Sequence, residues 1–327
     1  MMKKGLLWTG LAVGLVMLIW LGSERETSDT LAEDFRFKVE DTSQIERILI
    51  TDKNGEQVDL KRSESSWMVN NTYLARNNAI RNLMDAIARV DLQYIPTSAA
   101  SKTMKTDLAL QGIKVDILGK HDEILKSYHV GGATPDERGT FMLMDGSDQP
   151  AVTGIPGWEG ALRSRYVMRP VEWRSRMVFQ YNPDKISRLS VDYPKQQKEA
   201  FEIIKTKEDF HVDPLYLRSE NLSDQQDGAV EAYLRGYRSI GAEAILEDDE
   251  LRRRKMDEVP FAIFRCEYDN VITTLSLYPI YRNGGGGTKS IERYHAVADD
   301  GTLYLVQHRI FEKLLWSYSS FFVDQKE

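Results

Sequence analysis

Cysteine is nearly absent from this chain. Cys266 is the only one among 327 residues. A single thiol excludes a disulfide framework within the chain, and it excludes a zinc or iron–sulfur site held mainly by cysteines. Such scarcity is compatible with an extracytoplasmic bacterial domain, although it does not by itself select a compartment.

An excess of basic charge is lacking too. The chain has 43 basic and 50 acidic side chains, and its net charge is -7. Proteins that bind nucleic acid derive much of their affinity from Lys and Arg that neutralise phosphates, so this balance excludes that class. The one conspicuous basic run, residues 252–255, directly follows an acidic run at residues 247–250, and this pairing predicts a solvated, self-compensating segment.

The sequence motifs of common catalytic and metal sites are missing as well. Residues 284–290 resemble a phosphate-binding loop only superficially, because four consecutive glycines precede Thr288 and the required spacing before Lys289 is absent. We interpret this segment, with Gly285 near its centre, as a movable hairpin loop that touches a partner. No Gly-x-Ser-x-Gly elbow and no His-Glu-x-x-His pattern occurs.

Histidine is scarce, with five in the chain. His295 and His308 flank one predicted hairpin and could approach each other, but no third metal ligand is evident. We therefore predict no catalytic, cofactor-binding or metal-binding residues, and a protein that is not an enzyme.

A long apolar run is present at the N-terminus. Gly5 to Gly22 contains no charged residue, with Trp8 and Trp20 near its two ends. Eighteen residues at the helical rise span about 27 Å, close to the thickness of a bilayer's hydrocarbon core. Tryptophan suits both membrane interfaces, and the Lys3–Lys4 pair before the run favours a cytoplasmic N-terminus.

The run therefore predicts a cytoplasmic tip and transmembrane anchor over residues 1–22 and a polar stalk over residues 23–43. The protein would be a single-pass protein of the inner membrane with a periplasmic C-terminal domain. A cleaved signal peptide is the alternative, but the run is long, and Trp20 and Leu21 would occupy positions where signal peptidase requires small residues.

The rest of the chain contains two similar series of segments. Alternating strands, an amphipathic helix and a closing hairpin with an Asp-Gly turn recur in the same order. The paired strand segments are residues 45–50 and 186–191, 57–60 and 200–203, 67–69 and 210–212, 92–95 and 242–245, 113–117 and 262–266, 141–144 and 294–298, and 151–152 and 304–306. The paired helices cover residues 79–90 and 230–240.

This order predicts an α+β protein with two tandem repeats, each an antiparallel sheet with helices packed on one face. The first repeat would cover residues 44–169, a junction residues 170–185, and the second repeat residues 186–327. Pro170 favours an extended residue before it, so we expect a helix to end there.

The junction carries a family resemblance. The Ile-x-x-Ile-x-Ile strands, the Trp-x-Val strand and the stretch from Trp173 to Val191 resemble the domain-of-unknown-function 4340 family. The resemblance covers residues 45–322. Members are bacterial, and some accompany the membrane components of gliding-motility-type ABC transporters. It implies an accessory role with membrane-complex subunits as partners and supplies no catalytic residues.

Three functional hypotheses follow. The first is a non-enzymatic membrane-tethered binding or scaffold module of a transport or envelope complex, in which Trp173, Arg174 and Arg176 contact a partner at the joint of the repeats and the movable loop with Gly285 touches it elsewhere. The second is an envelope hydrolase with an active site of scattered residues, and the third is an architectural spacer. An enzyme predicts converging polar groups, whereas a scaffold predicts exposed apolar or aromatic patches.

Overall fold

The computed structural model describes residues 33–207, 209–216, 224–283 and 289–323. The predicted anchor residues Gly5, Trp8, Trp20 and Gly22, and the predicted partner residue Gly285, lie outside these ranges. No helix in the described part of the chain is both long enough and apolar enough to cross a bilayer. The chain divides into two compact units, residues 1–175 and 176–327.

The first unit is built around a nine-stranded antiparallel sheet in the order β4-β3-β2-β1-β6-β7-β8-β9-β5. Its strands are β1 Arg47–Thr51, β2 Gln57–Ser63, β3 Ser66–Val69, β4 Tyr73–Leu74, β5 Asp91–Tyr94, β6 Ile113–Leu118, β7 Ile124–Ala133, β8 Thr140–Met144 and β9 Ala151–Gly154. Its helices are α1 Asn77–Arg89, α2 Ser98–Gln111 and α3 Pro170–Trp173.

The second unit has an eight-stranded antiparallel sheet in the order β13-β12-β11-β16-β17-β18-β19-β15, and a separate pair formed by β10 and β14. Its strands are β10 Met177–Phe179, β11 Ile186–Asp192, β12 Phe201–Lys205, β13 Phe210–Pro214, β14 Ile240–Gly241, β15 Ala244–Leu246, β16 Ala262–Tyr268, β17 Val271–Asn283, β18 Lys289–Ala298 and β19 Leu303–Gln307. Its helices are α4 Ala229–Arg235, α5 Asp249–Met256 and α6 His308–Phe311. The α+β class and the antiparallel sheets agree with the sequence-based prediction.

Alternation of apolar residues explains which sheet face is buried. In β1, Ile48 and Ile50 are fully buried and their neighbours Arg47, Leu49 and Thr51 are only partly so. Burying one such side chain stabilises the fold by about 1.5–3 kcal/mol, which holds the register of the strand. Helix α1 packs on this buried face through its apolar stripe, and α4 does the same in the second unit.

The prediction that helices pack on one face is wrong for α2 and α5. Leu108 of α2 lies against Gly131 and Phe141. Phe141 points away from its neighbour Met142, which belongs to the main core of the first unit. In the second unit, Leu251 of α5 packs with Val297, next to the core residue Ala296. Each sheet therefore carries one helix on the face opposite the main core.

Charge patterning explains why α5 forms where a merely solvated segment was expected. Asp248 accepts a hydrogen bond from the backbone of Leu251 at 2.8 Å and caps the helix. Acidic residues occupy the first turn and basic residues the last, which suits the helix dipole. The expectation at Pro170 also needs correction: Arg169 is extended, but Pro170 begins α3 rather than following a helix end.

The two Asp-Gly turns behave as expected. Gly146 has a φ of 84° and Gly301 a φ of 80°. A tight hairpin turn needs this left-handed conformation, which glycine adopts without a steric penalty. These turns connect β8 to β9 and β18 to β19, and they fix the pairing of the closing hairpin in each unit.

Candidate functional site

A groove in the first unit brings together charged side chains from three separate segments. It has a volume of about 480 Å³ and lies where β1, β2 and the β6–β7 hairpin meet. Arg47 pairs with Lys61 in one neighbouring strand and with Leu118 in the other, so strand register assembles the site. The lining residues are Glu46, Arg47, Lys61, Arg62, Gly119, Lys120, His121 and Asp122.

Arg47 is held in place by a bidentate ion pair. Its Nε and Nη2 atoms donate to the two carboxylate oxygens of Asp59, each at 2.9 Å. Asn71 donates to the same carboxylate at 3.4 Å, and Asp122 lies 3.4 Å from Nη1 of Arg47. The hydrogen bond that Arg47 donates to the Asp59 carboxylate raises the pKa of Arg47. The guanidinium is thus oriented before any ligand arrives.

Arg62 is fixed by backbone groups instead of a carboxylate. It donates to the carbonyl of Ile45 at 2.8 Å and to that of Thr42 at 3.1 Å. Its guanidinium carbon also lies 4.9 Å from the centre of the Trp67 ring. Because carbonyl oxygens do not cancel a full positive charge, Arg62 contributes net positive charge to the groove.

Lys61 and Lys120 complete the basic character of the groove. Both are exposed, and neither ammonium group forms an ion pair with another described residue. The lining contains four cationic side chains against the two carboxylates of Glu46 and Asp122. In a chain of net charge -7, this groove is a local basic site suited to phosphate or carboxylate groups.

The hairpin at the rim has a constrained backbone. His121 and Asp122 both adopt positive φ, 58° and 59°. These polar turn residues lie between β6 and β7. The tight connection brings Asp122 within 3.4 Å of Arg47, while Lys120 lines the groove and stays exposed to solvent.

A second polar cluster on the same sheet is internally compensated. The ammonium of Lys114 lies 3.1 Å from Asp145 and 3.4 Å from Asp116. The Ser127 hydroxyl donates to Asp116 at 2.6 Å and to Asp145 at 3.1 Å, whereas His129 approaches Asp145 at 3.5 Å. The ion pair lowers the pKa of Asp145 and raises that of Lys114. Ser127 bonds to carboxylates and not to an imidazole, so the cluster differs from a serine–histidine pair.

The predicted partner residues near the junction have separate environments. Trp173 is 2% exposed within the core of the first unit, and its indole N–H donates to Val167 at 2.8 Å. The guanidinium of Arg174 lies 3.5 Å from the centre of the Tyr73 ring. Arg176 belongs to the second unit and donates to the carbonyl of Glu243 at 2.8 Å. Buried in this way, Trp173 presents no surface to a partner.

The two histidines that flank the closing hairpin of the second unit do not converge. Tyr294 bonds to Nδ1 of His308 at 3.0 Å. His295 is the next residue in β18 and points to the opposite face, where Lys255 and Glu258 influence it. Among the described residues, no group of three or more His, Cys, Asp and Glu has the geometry to hold a metal ion.

Sequence reasoning missed the groove because its basic residues occur in short pairs far apart in the chain. Glu46–Arg47, Lys61–Arg62 and Lys120–His121 each look like ordinary surface charge. One signal was available: Arg47 occupies an outward position of an alternating strand, between two strands that carry or precede lysines. Only strand register shows that these positions are neighbours.

Comparison with protein-family models, with curated proteins and with solved structures found no match for this chain. The site is therefore interpreted from its own geometry.

Proposed function

We propose that this protein is a non-enzymatic, membrane-tethered binding module that engages anionic groups through the basic groove. In this proposal it is a single-pass protein of the inner membrane with its folded units in the periplasm, and an accessory component of a membrane transport or envelope complex. The groove carries the proposal, because it combines two pre-oriented arginines with two lysines that form no ion pair with any other described residue.

Electrostatics supports the choice of an anionic ligand. Asp59 holds Arg47 by two hydrogen bonds, so the guanidinium is already ordered when a ligand approaches the groove. Binding therefore costs the Arg47 side chain little conformational entropy. Lys61 and Lys120 pair with no carboxylate in the described part of the chain, so ligand binding breaks none of the described ion pairs. Both terms favour phosphate or carboxylate over a neutral ligand.

The tether and the duplication are supported by the sequence and by the sheet order. The run from Gly5 to Gly22 has the length and flanking charges of a single-pass anchor. Eight strands of the first sheet and the eight of the second follow the same order, which supports two tandem repeats. The resemblance to the domain-of-unknown-function 4340 family supports the accessory role.

Titration of the full-length chain in neutral detergent with inositol hexakisphosphate, a soluble polyanion, tests the groove. We expect Lys61→Glu with Lys120→Glu to weaken binding by about tenfold or more, since two favourable charges become unfavourable. The matched control is Lys53→Glu with Lys102→Glu, two exposed lysines with the same charge change outside the groove. Equal affinities of the two double variants would rule out the groove as the binding site.

A pull-down of the tagged full-length chain from native membranes in mild detergent tests the accessory role. Mass spectrometry should recover membrane-complex subunits in fixed proportion to the chain. The chain should also resist alkaline carbonate extraction if residues 5–22 span the bilayer. Recovery of the chain alone, or its release by carbonate, would contradict the complex or the tether respectively.

A further inference from the structure

The described chain begins on the core side of the first sheet. The carboxylate of Glu33 forms an ion pair with Lys126 on β7. Phe37 is 1% exposed, and its ring lies 6.0 Å from that of Tyr128 in the core. These contacts fix the first described residues to the strand that follows the groove's hairpin.

The same N-terminal segment then borders the groove itself. The carbonyls of Thr42 and Ile45 hold Arg62, and Glu46 is a lining residue. The N-terminal segment therefore reaches the groove at residues 42–46, after Val39 has bonded to the backbone of Ile87 in α1.

The length of the tether limits how far the groove can be from the bilayer. Gly22 and Glu33 are eleven positions apart in the sequence. Eleven residues reach at most about 40 Å when fully extended, and a flexible chain of this length spans about 20 Å on average. The groove is therefore held close enough to the membrane surface to touch it.

The hairpin of the groove also carries an exposed apolar side chain. Ile124, the first residue of β7, is 64% exposed and is two residues from Lys126. An aliphatic side chain beside lysines is the composition of surfaces that settle into a headgroup layer. Asp59 already offsets Arg47, and Asp122 and Glu46 oppose the attraction, so the three remaining cations, Lys61, Arg62 and Lys120, leave an excess of one positive charge.

The corresponding hairpin of the second unit is different. Val271 and Ile272 are likewise exposed, by 60% and 63%. There, however, Lys185 pairs with Asp269, and Arg188 pairs with Glu202. This hairpin has the apolar tip without the unpaired lysines, and it serves as an internal control.

We infer that the groove rests on the surface of the bilayer into which residues 5–22 insert, with the phosphates of anionic lipids as its ligands. This inference rests on the proposed function, since it requires the tether and the anion preference of the groove. It names the lipid headgroup as the ligand, and it assigns the Ile124 hairpin to the membrane interface.

The test uses the full chain carrying Ile124→Cys and a bimane label. Native Cys266 stays unlabelled because it is 1% exposed and burial raises its pKa to about 12. The protein is reconstituted in nanodiscs that contain nitroxide-labelled lipid, made either from phosphatidylcholine or from an equimolar mixture of phosphatidylcholine and phosphatidylglycerol. We expect quenching at position 124 to be at least about twofold stronger with phosphatidylglycerol.

Variants of the groove and a label on the hairpin of the second unit are the controls for the quenching experiment. Lys61→Glu with Lys120→Glu should abolish the gain from phosphatidylglycerol, whereas Lys53→Glu with Lys102→Glu should keep it. A label placed by Val271→Cys should show no such gain. Unquenched bimane at position 124 in a chain that co-elutes with nanodiscs would overturn the inference.

Two further outcomes separate this inference from the proposed function. If the chain does not co-elute with nanodiscs, the tether itself fails. If inositol hexakisphosphate binds at the groove but quenching is absent, the groove takes a soluble anion or an acidic protein segment and not the membrane, and the inference fails alone.

Discussion

Two core positions that hold valine in the first unit, Val58 and Val115, hold phenylalanine in the second, Phe201 and Phe264. Strand register defines the equivalence: Val58 pairs with Ile50 in one sheet, and Phe201 pairs with Val191 in the other. Both Val58 and Phe201 are fully buried. The same sheet order therefore accommodates side chains of very different volume.

The comparison shows that alternation, and not residue identity, specifies this sheet. Apolar residues at every second position place one face on the core in both units. The Phe201 ring of the second unit packs against other aromatic rings. Its centre lies 5.4 Å from the centre of the Tyr233 ring and 4.8 Å from that of the Phe321 ring. Each core is close-packed around its own side-chain set.

The opposite face differs more sharply. Below α2, Leu108 and Phe141 both lie against Gly131. The equivalent positions below α5 are Tyr278 and His295. Nδ1 of His295 is buried and has no hydrogen-bond partner among the described residues. One unit thus has an apolar contact where the other has a polar group.

The largest expected effect comes from removing an aromatic group from the second core. Phe201→Ala should lower the free energy of unfolding by about 3–5 kcal/mol, because it removes a fully buried ring and leaves a cavity. Hydrogen exchange measured by mass spectrometry should show faster exchange in the second unit. A loss no larger than that of Val58→Ala would contradict the comparison of the two cores.

Placing in the first core the phenylalanine that the second core has at the equivalent position should have the next largest effect on the free energy of unfolding. Val58→Phe should cost about 1–3 kcal/mol of unfolding free energy, since no cavity awaits the ring and neighbouring side chains must shift. Urea unfolding followed by tryptophan fluorescence should show the loss. If Val58→Phe leaves the free energy of unfolding unchanged, the side chains of the first core are packed less tightly than their burial indicates.

A smaller difference is expected between two equivalent ion pairs. Arg47–Asp59 and Arg188–Glu202 occupy matching positions and are both bidentate. The Arg47 side chain is 30% exposed and that of Arg188 57%. Double-mutant cycles on unfolding free energy should give a coupling of about 1 kcal/mol for the first pair and less for the second. A larger coupling energy for Arg188–Glu202 would mean that burial does not determine which of the two ion pairs is stronger.

The smallest effect concerns pH. Burial, reinforced by Lys255 and Arg254 and opposed by Glu258 and Asp248, lowers the pKa of His295. The folded state then binds fewer protons than the unfolded state, so stability is full above the unfolded pKa of about 6.5 and falls as pH drops below it.

His295→Phe, which copies the first unit, should remove this part of the acid sensitivity. Unfolding measured at a series of pH values between neutral and mildly acidic checks it. His308→Phe is the control, because His308 lies on the other face and bonds to Tyr294. An unchanged pH profile for His295→Phe would show that His295 is not the group responsible.

Much of the fold was predictable, and the exceptions have physical causes. Strands with clear alternation, such as residues 45–50 and 186–191, were placed within about two residues of their observed bounds. Helix α2 was missed because only Met104 and Leu108 form an apolar stripe in it. Helix α5 was missed because its stability comes from capping and charge order, which periodicity does not detect.

The sequence by itself determined the class of the fold, because the period of its apolar residues dictates strand or helix and one buried face. It also determined the sharp turns at Gly146 and Gly301, since few other residues tolerate their φ. The groove depended on the tertiary structure. Arg47, Lys61 and Lys120 are neighbours only because two strands pair with β1 in a definite register, and that register is set by the packing of the whole core.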